Sequence, residues 1–292
     1  MSKRCVIVLT AFLGALNMSG TAAAGGGWEF LFDWGDFGDV EDIAVDSNGS
    51  VYVLDRPNGR VQVFTPDGQY LREQTGFNDP TGLAIDADTV YVQERCGVYR
   101  FTTNFVDLGG WESCIGKGDL QQNRGIDVKN GVAWIVTVND VLKFTTGGIF
   151  LHRFMDFVGW MDVHIVPDGS IWVVTEFGFQ GLIRHYSEDG QVITEWNSIV
   201  PGEQSSSPVG IALDSSGAVF IADGRVKMFS ANGVLQDLIE VPLAFLLDVE
   251  LAGDDILYVG KSFTSPGRVL KYQRVPMPVE SETWGSIKAR YR

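Results

Sequence analysis

Three aspartates fall at one phase of a recurring pattern: Asp42 in "EDIAV", Asp162 in "MDVHI" and Asp248 in "LDVEL". Glycine holds the matching place in three further segments, at Gly82, Gly125 and Gly210. Carboxylates that converge on one point repel, and a cation between them lowers the cost of keeping all of them ionised. Oxygen donors suit Ca2+, a hard cation, and the cationic group of an organic ligand would suit them as well. The plainer alternative is that each aspartate bonds its own segment's backbone around a water-filled space. A second polar set closes the following strand of each segment: Asp55, Glu94, Thr137, Thr175 followed by Glu176, Asp223 and Lys261.

The elements that must position these groups repeat six times. "IAVDSNGSVYVLDRPNGRVQVFTPDGQYL" and "IALDSSGAVFIADGRVKMFSANGVLQDL" are two of the copies. Each copy has a short apolar strand, a Gly/Asp/Asn turn, a strand with a central aromatic, and a third strand ending in an aromatic. The terminal aromatics Phe64, Phe101, Phe144, Tyr186, Phe229 and Tyr272 are spaced by 37, 43, 42, 43 and 43 residues. A period near 40 built from short strands predicts a β-propeller. The fold class is therefore all-β, with six blades of four antiparallel strands. Asn-Gly and Asp-Gly supply the positive φ that the hairpin turns need.

Five copies continue into a fourth, outer strand, and the sixth stops at "GRVLKYQR". "WEFLFDWG", residues 28–35, alternates like the five outer strands and has nothing before it to pair with. It is expected to be the missing outer strand of blade six, so that the two ends of residues 25–274 close the ring and remove a sheet edge.

Strand direction alternates from the axis outward, so the one-to-two and three-to-four turns share a face. The opposite face carries the longer loops, including 109–124, 175–181, 197–208 and 260–267. Long loops on a rigid scaffold commonly carry function, and aromatics are common anchors at such surfaces. Trp111, Trp160, Glu176, Phe177, Phe179 and Phe263 are the candidates there. Cys96 and Cys114 fall on the same face and are expected to form a disulfide in an oxidising compartment. A free or buried pair is the alternative. The three histidines, His152, His164 and His185, map to an outer, an innermost and a third strand. They do not converge, which argues against a three-His zinc site. No Gly-x-Ser-x-Gly elbow is present, and no Ser/His pair falls on neighbouring loops.

Residues 1–24, with Lys3, Arg4, an apolar run and Ala22-Ala23-Ala24, have the layout of a secretory signal peptide. The apolar run is too short to span a bilayer. Export to the periplasm or beyond is expected, as a monomer without a transmembrane segment. The formal charge is −15; residues 1–24 add two positive and no negative charges, leaving −17 on the remainder. Such a surface repels phosphate backbones and anionic lipid and favours cationic partners. Residues 275–292 form a tail: a Pro-spaced linker, then "ESETWGSIKARYR" with Trp284, Ile287 and Tyr291 on one helical face. Packing under the propeller, a recognition tag and a frayed end are all open for it.

"PTGLAID" with its following "VYV", and "PVGIALDSSGAVFIADGRVKMF", resemble NHL repeats, as does "EDIAVDSNGSVYVLDRPNGRVQVF" with Asp42 in the glycine position. In this repeat type the aspartate ending the second strand would pair with the arginine opening the third, which Asp55 with Arg60 and Asp223 with Arg225 fit. The long loops and their aromatics favour a non-catalytic binding or scaffold module that docks a protein or small ligand on the loop face. The rival is a metal-dependent lactonase, hydrolase or lyase with carboxylates at the channel mouth. Gluconolactonase-like propellers use a carboxylate-and-Asn metal site, and here no Asn stands at the matching places.

Overall fold

In the computed structural model, residues 27–95, 97–113, 123–155, 159–175, 180–203, 207–241, 245–262 and 266–275 are described. They form a ring of six four-stranded antiparallel sheets. Blade one runs from β2 (Val40–Val45) through β3 (Val51–Asp55) and β4 (Arg60–Phe64) to β5 (Tyr70–Thr75). Blade two holds β6 (Gly82–Asp86), β7 (Thr89–Gln93), β8 (Gly97–Thr102) and β9 (Asp107–Glu112). Blade three holds β10 (Asn123–Lys129), β11 (Val132–Thr137), β12 (Asp140–Thr145) and β13 (Phe150–Met155). Blade four holds β14 (Trp160–Ile165), β15 (Ile171–Thr175), β16 (Leu182–Tyr186) and β17 (Val192–Asn197). Blade five holds β18 (Gly210–Leu213), β19 (Val219–Asp223), β20 (Arg225–Phe229) and β21 (Leu235–Ile239).

Blade six is built from both ends of the ring. β22 (Phe245–Ala252), β23 (Ile256–Ser262) and β24 (Gly267–Arg274) are completed by β1 (Trp28–Phe37), antiparallel to β24 with Trp28 opposite Arg274. Trp34 and Phe37 bury their rings with Val40, Phe64 and Tyr258, so β1 also glues blade six to blade one. Arg268 clamps the strand through Asp33 Oδ1 at 2.8 Å and the carbonyl of Gly35. That ion pair holds the Asp33 carboxyl below its ordinary range.

The core lies between blades. The second strands read VYVLD, TVYVQ and IWVVT and are buried on both faces, which explains their near-continuous apolar runs. Their aromatics reach the adjoining blade: Tyr52 packs with Leu83, Val90 and Phe101, and Tyr258 with Val40. Among the described residues no helix is long and apolar enough to cross a membrane.

Two inner-strand glycines are required by close approach. A Cβ on Gly210 would lie 2.8 Å from Asp248 Oδ1 and 2.9 Å from Asp248 Cα; on Gly125 it would lie 2.7 Å from Asp162 Oδ1 and 2.9 Å from Asp162 Cα. The obstacle is partly backbone, so it cannot swing away. Gly210→Ala is expected to cost ~1–3 kcal/mol by overpacking, read as a lower urea midpoint at unchanged slope.

Candidate functional site

Alternation along the inner strands sends every second side chain to the propeller axis. The first tier is Asp42, Gly82, Gly125, Asp162, Gly210 and Asp248. Two residues on, a second tier reads Ala44, Ala84, Asp127, His164, Ala212 and Glu250. An axial cavity of about 460 Å³ is lined by Asp42, Asp162 and Asp248 and by the polar members of the second tier. It continues past Asp86, Lys129, Asp214 and Asp254, where the inner strands end, and so reaches the short-turn face.

The first-tier aspartates are brought together, and each is also a staple between blades. Asp42 Oδ2 accepts from the Leu83 N–H at 2.6 Å, Asp162 Oδ2 from Ile211 at 3.0 Å, and Asp248 Oδ2 from Ile43 at 2.8 Å. Asp127 does the same one tier down, accepting from Ile165 at 2.7 Å. The bonds therefore run to the next blade as well as to the aspartate's own segment, the alternative read from the sequence: Asp162 Oδ1 also accepts from Val163 N–H at 2.8 Å and Asp127 Oδ1 from Val128 N–H at 2.7 Å. The ring curves each inner strand so that its free N–H edge meets the preceding blade's carboxylates.

Asp42 and Asp248 sit on adjacent blades with no glycine between them, and their carboxyls hydrogen-bond. One of the two must carry a proton for that bond to form. Burial pushes Asp248 up to about 6, opposed by the backbone N–H groups of Val249 and Ile43. Burial and the charges of Asp248 and Asp162 hold Asp42 well above the usual carboxylate range. Burial also raises Asp162 and Glu250, reinforced in both by the Asp248 charge. His164 moves the other way: burial lowers it, partly offset by Asp127, whose Oδ2 lies 4.0 Å from Nδ1.

These donors do not fit a metal ion well. Among the described residues no group of three or more His, Cys, Asp or Glu side chains is arranged to hold one. The first-tier oxygens are turned to backbone N–H groups and to each other, so no chemistry is routed here through Ca2+.

Other candidates fall elsewhere. Glu176, Phe177, Phe179, Phe263, Cys96 and Cys114, with the side chain of Trp160, lie outside the described residues. Trp111 is in β9, its ring packed near Tyr91 and Phe144 between blades two and three, and it lines a surface pocket with Asn78, Glu94 and Arg95. Arg60 Nη2 lies 2.8 Å from Asp55 Oδ2, with Asp55 fully buried. The Asp223–Arg225 pairing does not form. Asp223 Oδ2 meets Lys227 Nζ at 2.6 Å, and Arg225 turns to Glu203 and Glu240. Blade five joins these strands through Gly224 alone, whereas blade one inserts a 3-10 turn, Arg56–Asn58, that lets Arg60 fold back onto Asp55.

A Ser/His contact absent from the sequence reading does occur. Ser170 Oγ lies 2.7 Å from His185 Nε2 and 2.6 Å from Asp168 Oδ1. Ser170 is 4% exposed and His185 is stacked on Trp172, so the hydroxyl is shielded from any substrate. Asp127, His164 and Glu250 were missed as channel residues; period-two counting onward from the first tier is the signal that finds them.

The NHL repeat model matches residues 37–64, covering β2 to β4 of blade one. The chain is a six-bladed β-propeller with an NHL repeat in blade one. No curated protein sequence matches it. Solved structures share the fold at low identity. A luciferin-regenerating enzyme is 13% identical, with TM-score 0.69, over 85% of this chain and 95% of that one. A calcium-binding protein, regucalcin, from Agrobacterium tumefaciens is 13% identical, with TM-score 0.66, over 82% and 92%. A gluconolactonase from Xanthomonas campestris is 16% identical, with TM-score 0.65, over 83% and 88%. At these identities the likeness concerns the propeller alone.

Proposed function

We propose that this propeller is an exported, non-catalytic binding module, and that its ligand enters the axial channel with a cationic group. One observation carries the reading. The cavity gathers Asp42, Asp127, Asp162, Asp248 and Glu250, and Lys129 is the single Lys or Arg among its described lining residues. Burial raises Asp42, Asp162, Asp248 and Glu250, and a primary amine or guanidinium offers them a compensating charge and N–H donors that match carboxylate acceptors. The loop face, which the sequence favoured for docking, remains open to a protein partner.

Calorimetric titration with agmatine, which carries both an amine and a guanidinium, tests the site. Binding should be tighter at pH 8 than at pH 5, because protonated carboxyls must release their protons before accepting a cation. Asp162→Asn with Glu250→Gln should weaken it at least tenfold. Absence of heat at both pH values would remove the reading.

A second reading has its own support. The hydrogen-bonded Asp42–Asp248 pair is a proton-sharing dyad, which can serve as general acid and general base. Lactonases and lyases occur among proteins of the same fold. Turnover of a lactone panel that is lost in Asp42→Asn would favour it over plain binding.

A further inference from the structure

We propose that a second site, in the seam between blades one and two on the long-loop face, takes a pyranose ring of a carbohydrate. Its described lining shares no residue with the axial channel, so it stands apart from the cation site.

Five blades close a corner that blade two leaves open. In those five an ion pair ties the third strand to the outer strand or to the residue just after it. The pairs are Arg60–Glu73, Arg153–Asp140, Arg184–Glu195, Arg225–Glu240 and Arg268–Asp33, at 2.6–3.3 Å. In blade two the register sets Gly97 opposite Glu112 and Tyr99 opposite Gly110. Gly97 stands where blades one, five and six have Arg60, Arg225 and Arg268. Gly110 stands where blade one has Glu73. A Cβ on Gly110 would lie 2.3 Å from the Val98 carbonyl oxygen, so β9 runs too close to β8 for a side chain there. The missing pair leaves a cleft of about 530 Å³. Small-molecule sites usually measure roughly 300–1,000 Å³.

The lining suits a hydroxylated ring. Tyr99 is 43% exposed, and its ring borders the space over Gly97, where a Cβ would stand 3.6 Å from Tyr99 Cε2. An aromatic wall offers its electron-rich face to the C–H bonds of a sugar. Asn78, Glu94, Arg95 and Glu112 surround that wall. The backbone N–H of Asn78 donates to Glu94 Oε1 at 2.8 Å, which fixes that carboxylate at the seam. The carboxylates accept hydrogen bonds, the guanidinium donates them, and the Asn78 amide does both. A sugar hydroxyl also does both, so one ring can address all four groups. A simple cation would be repelled by Arg95, and a simple anion by Glu94 and Glu112.

Saturation-transfer NMR and calorimetry on the full chain, with the methyl glycosides of glucose, galactose, mannose and N-acetylglucosamine, test the site. At least one glycoside should bind. Tyr99→Ala should weaken it at least tenfold, and Tyr99→Phe should retain it. Gly97→Arg rebuilds the side chain of blades one, five and six and should abolish binding. Gly97 does not have a positive φ, and its Cβ would meet nothing closer than 3.6 Å, so this variant should melt with the wild type. Asp162→Asn with Glu250→Gln, in the axial channel, should leave glycoside binding unchanged. Failure of all four glycosides to bind would overturn the proposal. Binding untouched by both Tyr99→Ala and Gly97→Arg, or lost in the channel variant, would do the same.

Discussion

Deleting residues 28–37 should leave a protein that aggregates or melts far below the intact chain. The deletion strips β24 of its partner and exposes a ladder edge from Gly267 to Arg274. It also withdraws Trp34 and Phe37, 7% and 2% exposed, from the seam that joins blade six to blade one. Each large buried aromatic contributes ~3–5 kcal/mol when truncated to alanine, a large share of the total stability of a domain. Because a deletion can fail to express, Trp34→Ala provides a graded version. It should lower the melting temperature by roughly 10 °C at the sensitivity usual for a domain of this size. A soluble deletion variant melting with the wild type would show that the ring is held shut without β1.

The second large effect is a loss of stability as pH rises. Asp42, Asp162, Asp248 and Glu250 are all held above their ordinary carboxylate values by burial. A carboxyl whose folded value is raised binds more protons in the folded state than in the unfolded one. Its stabilising contribution is complete below pH ~4, the unfolded value, and is lost as pH rises through the folded value. For Asp248, pushed up to about 6, that loss is worth ~3 kcal/mol and falls between pH 4 and 6; Asp42 extends the window upward. The groups facing the pair are Asp127, Asp162 and Glu250, which add to the repulsion, and His164, which burial shifts towards its neutral form. Asp33 and Asp214 run the opposite way, since partners hold them low, and destabilise only in stronger acid. The wild type should therefore melt several degrees lower at pH 8 than at pH 5. Asp42→Asn/Asp248→Asn, which keeps an oxygen for the Leu83 and Ile43 N–H groups, should flatten that slope and overtake the wild type at pH 8. A melting temperature that rises from pH 5 to 8, or an unchanged slope in the variant, would contradict the protonated dyad.

Blade number, the order of strands and the closing role of "WEFLFDWG" were legible in the sequence. All three depend on local periodicity: period two within a strand, a turn residue with positive φ, and a recurrence near 40 residues. The same alternation placed Asp42, Asp162 and Asp248 at the axis, and it would have placed Asp127, His164 and Glu250 there too had the count been carried two residues further. What no local pattern carries is the partner across a blade boundary. Asp42 bonds Leu83, forty-one positions on, because the ring's curvature brings an N–H edge to that carboxylate. Asp223 takes Lys227 and leaves Arg225, because one glycine and not a 3-10 turn joins its strands. Ser170, one residue ahead of β15, meets His185, which the register of β15 and β16 sets opposite Trp172. The cavity's reach to the short-turn face, beside the exit of the chain at Val275, likewise follows from how six twisted sheets converge. Sequence fixes which side of its own strand each group faces; its distance to groups on another blade depends on inter-sheet angles that arise only once all six blades pack and the ring is shut.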